Sequence, residues 1–95
     1  MGMRDAYLLS FKARVQAWEA EIDRLERHTT ALAAGRELRV QERVLALRRQ
    51  VRELKRRGRQ LMEARGAAFE DLKHETERQA KALKDALDAA RAELF

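Results

Sequence analysis

Three runs of regularly spaced apolar residues organise this chain. The first is Leu8, Phe11, Val15, Trp18, Ile22, Leu25, Thr29 and Leu32, in which steps of three and four alternate throughout. That spacing lays the side chains along one stripe of an α-helix and leaves polar residues on the rest of the surface. Asp5 stands just ahead of the run, where its carboxylate can accept from the free amides of a first helical turn.

The second run is Val40, Val44, Leu47, Val51, Leu54, Gly58 and Leu61, and it is out of phase with the first. Eight residues separate Leu32 from Val40, so two four-residue steps meet there. Such a shift is a stutter if the helix continues, or a break if Gly35 ends it. Gly35 lies in this region, but a glycine in a helix interior costs only about 1 kcal/mol relative to alanine. Its neighbours Ala33, Ala34, Arg36 and Glu37 all favour helix. The pattern therefore predicts one long, at most slightly bent, helix from about residue 5 to 64.

A clearer break follows at ARGAA, residues 64–68, where Gly66 can take the left-handed conformation that ends a helix. Beyond it, Ala68, Leu72, Thr76, Gln79, Leu83, Leu87, Ala90 and Leu94 repeat every eleven residues. The period is also visible as FEDLK (69–73), AKALK (80–84) and RAELF (91–95). Eleven residues in three turns keep a stripe nearly straight along the helix. A second helix over about 67–94 is predicted, folded back on the second half of the first.

The expected fold is all-α: an antiparallel coiled-coil helical hairpin forming a single domain over 1–95. Val44, Leu47, Val51 and Leu54 would meet Leu72, Leu83 and Leu87 in its core. Flanking charges would set the register, with Arg59 near Asp71, Lys55 near Glu75, and Arg48 and Arg52 further along the same edge. Each exposed pair contributes only about 0.2–1 kcal/mol, so the leucines would supply the stability. Such a hairpin leaves the first stripe uncovered. A row of Phe11, Val15, Trp18, Ile22 and Leu25 does not stay in water in a monomer. Self-association through residues 8–32, as a homodimer, is the expectation.

Composition narrows the class. The chain has 95 residues, 39% of them charged and 45% hydrophobic, and no proline. That profile suits long helices and coiled coils, and the regular apolar spacing argues against disorder. With no cysteine, disulfides, thiolate metal sites and cysteine nucleophiles are excluded. The longest apolar runs are four residues, whereas a membrane span needs about 20. The start, MGMRDAYLLS, lacks the apolar core of a secretory signal, so a cytoplasmic location is expected.

The segments AWEAEIDRLE (17–26), ALRRQVRELK (46–55) and FEDLKHETERQAKALKDALDAARAELF (69–95) together resemble a family of small bacterial coiled-coil proteins. Some members of that family carry a stress-response name. The resemblance implies a helical hairpin and a stress-related role. Where the family usually has tryptophan at both starts of the eleven-residue repeat, this chain has Phe69 and Ala80. The family's Ser-Gly-Asp cap is replaced by Arg65, Gly66 and Ala67.

Charge supplies the alternative reading. The net charge is +5, but residues 36–65 carry +7 and residues 66–95 carry −2. Arg48, Arg49, Arg52, Lys55, Arg56, Arg57 and Arg59 form a dense basic cluster that can track the phosphates of a nucleic acid. No aromatic residue lies between Arg36 and Arg65, which removes the stacking platforms that grip single strands. A lipid surface is a weaker alternative for the helix over 67–95 ending in Phe95. Interfacial helices combine a basic face with bulky anchors, whereas this one is net acidic and rich in alanine and leucine.

Catalytic chemistry has little to stand on. His28 and His74 are the only imidazoles. Asp71 and His74 make one half of a carboxylate-x-x-His motif, and His28, with Leu25 three positions before it, cannot supply the other half. Ser10 is the only serine and has no base beside it. Met62, next to Leu61, reads as gap-filling near the turn. The expectation is a non-catalytic structural or adaptor coiled coil, with no cofactor and no metal, that self-associates and has an unidentified protein partner.

Overall fold

A computed structural model describes residues 2–28 and 34–94. It is all-helical, with α1 over Met3–His28, α2 over Ala34–Glu63 and α3 over Gly66–Leu94. The bundle measures 51 × 20 × 18 Å, close to the length of its 30-residue middle helix. Ion pairs give the directions. Lys55 meets Glu19 and Arg48 meets Asp23 and Glu26, so α2 runs antiparallel to α1. Arg57 meets Glu75 and Arg43 meets Glu93, so α3 runs antiparallel to α2. Arg14 meets Glu77 and Arg91 meets Glu21, so α3 lies parallel to α1.

The single helix expected from about 5 to 64 is therefore two antiparallel helices. The physical reason lies in the phase shift between Leu32 and Val40. A straight helix carrying two stripes on different faces cannot bury both against one partner helix. Folding α2 back on α1 turns the stripes toward each other, and α3 closes the third side. Gly35 does not break the helix; it lies in the first turn of α2. Thr29 and Leu32 lie outside the described residues, as do the side chain of Leu94 and the whole of Phe95. Asp5 does not precede α1 but sits in its first turn, where its negative charge suits the helix dipole.

The core runs the length of the bundle. Phe11, Val15, Ile22 and Leu25 of α1 pack with Val40, Val44, Leu47, Val51 and Leu54 of α2 and with Ala80, Leu83, Leu87 and Ala90 of α3. Burying each large aliphatic side chain is favourable by about 1.5–3 kcal/mol. The buried positions of α3 are Phe69, Thr76, Ala80, Leu83, Leu87 and Ala90. They keep the seven-residue rhythm of a helix in a left-handed bundle, not the expected eleven-residue one. Ala68 is exposed, and Leu72 and Gln79 are only half-buried, because two neighbouring helices shift the buried arc toward Phe69 and Ala80. Thr76 is fully buried and satisfies its hydroxyl by donating to the Leu72 carbonyl at 2.6 Å.

The α2–α3 turn falls where the glycine suggested. Gly66 has φ +57°, a conformation that costs a glycine nothing for want of a β-carbon. A contact no local pattern shows completes the turn. Arg4, from the start of α1, donates to the carbonyls of Leu61 (3.3 Å) and Ala64 (3.2 Å), and also to that of Met62. These are among the carbonyls that the end of a helix leaves without partners. The Arg4 guanidinium also lies 5.5 Å above the Phe69 ring.

Candidate functional site

α3 fills one of the two long furrows between α1 and α2. The other furrow, on the far side of the pair, is open. It is an elongated groove of about 690 Å³ lined by α1 and α2 alone. Phe11, Val15 and Gly58 belong to it, with Leu8 and Leu9 on the α1 wall and Met62 on the α2 wall. Leu9 is 56% exposed and Met62 62% exposed, which is far from the interior role expected of Met62.

Gly58 lies in this furrow against Phe11. A β-carbon there would sit 2.9 Å from Cε1 of Phe11. With hydrogen in that place, the Phe11 ring crosses to the α2 backbone. Around the rim stand Asp5, Lys12, Glu19, Lys55 and Arg59. The two carboxylates are engaged: Glu19 by Lys55 at 2.8 Å and Asp5 by Arg4 at 3.6 Å. Lys12 and Arg59 make no ion pair among the described residues. An apolar trench with a partly free cationic rim can take an amphipathic chain; nothing in its lining supplies a nucleophile beside a base.

Of the residues expected to mediate self-association, Phe11 and Val15 reach the groove floor and the others lie away from it. Phe11, Val15, Ile22 and Leu25 are in the core of the same chain, and Trp18 packs against that core half-buried. The uncovered row on which the dimer rests is covered here by α2 and α3. Of the expected hairpin core, Val44, Leu47, Val51, Leu54, Leu83 and Leu87 are buried and Leu72 is half-buried.

The basic cluster is largely spent on internal pairs. Arg48 grips Asp23 and Glu26 at 3.0 and 2.8 Å, and these carboxylates raise its pKa. Lys55 holds Glu19, Arg56 holds Glu53, and Arg57 holds Glu75 at 2.9 Å. The expected pairing of Lys55 with Glu75 and of Arg59 with Asp71 is thus replaced, because α1 takes the flank of α2 on which Lys55 projects. Arg49, Arg52 and Arg59 are exposed and make no ion pair among the described residues. Three free guanidiniums form a much smaller electrostatic footprint than the seven read from the sequence.

A second polar cluster ties α1 to α3. Tyr7 donates to Glu77 at 2.6 Å, and Arg14 grips both oxygens of the same carboxylate. The hydrogen bond from Arg14 is the main cause holding the Glu77 carboxyl below its usual range, opposed by burial. Burial, followed by the Glu77 carboxylate, pushes the Tyr7 phenol well above its ordinary value. Lys73 sits 4.9 Å from the Tyr7 ring, and Arg14 lies over Phe11 and Trp18 at 5.9 and 5.7 Å. Tyr7 and Arg14 both bind Glu77, while the buried Nε of Arg14 has no hydrogen-bond partner; the cluster reads as an internal clamp.

Asp71 and His74 are both exposed. Among the described residues no group of three or more His, Asp or Glu is placed to hold a metal ion, and no helix is long and apolar enough to cross a membrane. Of the groove residues, Leu9 has no role in the sequence pattern and Met62 stands there only as gap-filling near the turn. Their one signal was doubling: Leu8-Leu9 and Leu61-Met62 each place two apolar residues where a single stripe needs one. Fold and groove together define a small three-helix bundle with an open apolar furrow between α1 and α2. Comparison of the sequence and structure with family models, curated proteins and solved structures finds no match.

Proposed function

We propose that this chain is a non-catalytic helical adaptor: a three-helix scaffold that takes a helix of another protein into the α1/α2 groove. The observation that carries this reading is the groove itself. It has the same two walls that receive α3 on the opposite side, and an apolar lining around Phe11 and Gly58. Helices pack by setting ridges into such furrows, and a fourth helix there completes a four-helix bundle. Exposed apolar surface rimmed by charge is the usual mark of a protein–protein contact. Self-association through Phe11, Val15, Trp18, Ile22 and Leu25 is not part of the proposal, since four of the five are buried in their own chain and Trp18 packs half-buried against that core. The stress-related role rests on the sequence resemblance alone.

The test is a titration of isotope-labelled protein with a synthetic amphipathic peptide of about 18 residues, roughly five helical turns. Amide shifts confined to the neighbourhood of Leu8, Leu9, Lys12, Gly58 and Met62 are expected. Leu9→Lys and Met62→Lys, at exposed positions that spare the core, should abolish them. Shifts that are absent, or spread evenly over the three helices, would dispose of the reading.

A further inference from the structure

The charge around the groove says what kind of helix fits. Resting on the adaptor reading, we propose that the occupant is an amphipathic helix of a different protein, with Asp or Glu flanking its apolar stripe, held between Lys12 on one wall and Arg59 on the other. The rim carboxylates Glu19 and Asp5 already face Lys55 and Arg4. The unsatisfied charge at the groove is therefore positive on both walls. Arg52 extends it, exposed and without an ion pair, two helical turns before Arg59 on the same face of α2. Like charges brought to these edges are repelled and opposite charges are drawn in, which selects the partner more than it adds affinity.

A second copy of this chain does not meet that requirement. Among the described residues the exposed large apolar side chains are Met3, Leu9, Leu38, Leu45 and Met62, and none belongs to α3. The acidic helix of a second copy thus has no apolar stripe to offer. Two grooves meeting face to face in a symmetric dimer would bring one positive rim, with Lys12 and Arg59, against another. The other exposed apolar pair, Leu38 and Leu45, shares its helix face with Glu42 between them and with Arg49 and Arg52 beyond, so its charge is mixed and not the acidic flank the groove calls for.

Two labelled helical peptides test this against the full chain by fluorescence anisotropy. They share one leucine stripe, and one carries glutamate and the other lysine at the flanking positions. The glutamate peptide should bind at least about tenfold more tightly at low salt, and the gap should shrink at about 300 mM salt as the Debye length shortens. Lys12→Glu combined with Arg59→Glu, both at exposed positions, should reverse the preference while circular dichroism stays helical. Equal affinity for the two peptides would overturn the charge selection and leave the groove reading standing. Binding of neither would overturn both. Sedimentation of the protein alone as a dimer that Leu9→Lys dissociates would assign the groove to a second copy and overturn the proposal.

Discussion

The ring of Phe11 rests against the backbone of Gly58, with Cε1 2.9 Å from where a β-carbon would stand. Position 58 follows the heptad of α2, where an alanine or leucine would be the ordinary choice, so the glycine there is a matter of fit to another helix. Gly58→Ala tests this cleanly. Alanine improves helix propensity by about 1 kcal/mol, so any loss must come from the encounter with Phe11. A lower urea midpoint is expected, and a larger fall of about 1–3 kcal/mol for Gly58→Val through overpacking. In a double-mutant cycle with Phe11→Leu, most of the cost of Gly58→Ala should vanish.

Arg4 caps a helix some sixty residues away by donating to the carbonyls of Leu61 and Ala64 at the end of α2. Arg4→Ala should lower stability by about 1–2 kcal/mol, the lower part of the range for charged hydrogen bonds, because water reaches this end. Faster amide hydrogen exchange around Ala64–Ala68 should accompany the loss. Arg4→Lys should recover little of it, since one ammonium cannot span the carbonyls that the planar guanidinium reaches.

Glu77 couples stability to acid. Its folded pKa is depressed, chiefly by Arg14, so its contribution is present above the ordinary glutamate value of about 4.3 and disappears as pH falls through the lower folded value. The groups facing it are Arg14, Tyr7 and Lys73. Denaturant unfolding across acid pH should show this loss, and Glu77→Gln should flatten that slope while lowering stability near neutrality. The side chain is 39% exposed, so the effect is modest.

Tyr7 is the only tyrosine, which makes its titration directly visible by ultraviolet absorbance. Burial and the Glu77 carboxylate hold its proton, so phenolate should appear well above the ordinary value of about 10. The sign follows: the stabilisation is complete below that value and is lost as pH rises toward the folded one. Glu77→Gln should move the transition part-way back toward about 10. A wild-type midpoint already at the ordinary value would contradict the half-buried Tyr7–Glu77 contact.

Helical content was readable from residue spacing, because a stripe at steps of three and four leaves few other structures open. The α2 stripe from Val40 to Leu61 and the turn at Gly66 were legible for the same local reasons. The α3 stripe was read with the wrong period. Alanine counts weakly as an apolar marker, so Ala68, Ala80 and Ala90 suit more than one frame. Only the presence of two neighbours, α1 and α2, decides for Phe69 and Ala80. The groove was hardly legible at all: Leu9 and Met62 look like spare apolar residues until the two helices that carry them stand side by side.

By itself, the order of residues determined that the chain is helical, which side chains of α1 and α2 form stripes, and where positive charge gathers. All of that depends on local geometry, which repeats every turn. Tertiary structure decided where the first stripe finds its cover, which cations are neutralised, and that the α1/α2 furrow opposite α3 stays open. Those outcomes depend on which helices become neighbours, a choice made by the sum of many weak contacts between residues far apart in the chain, as when Arg4 reaches Ala64 or Phe11 reaches Gly58.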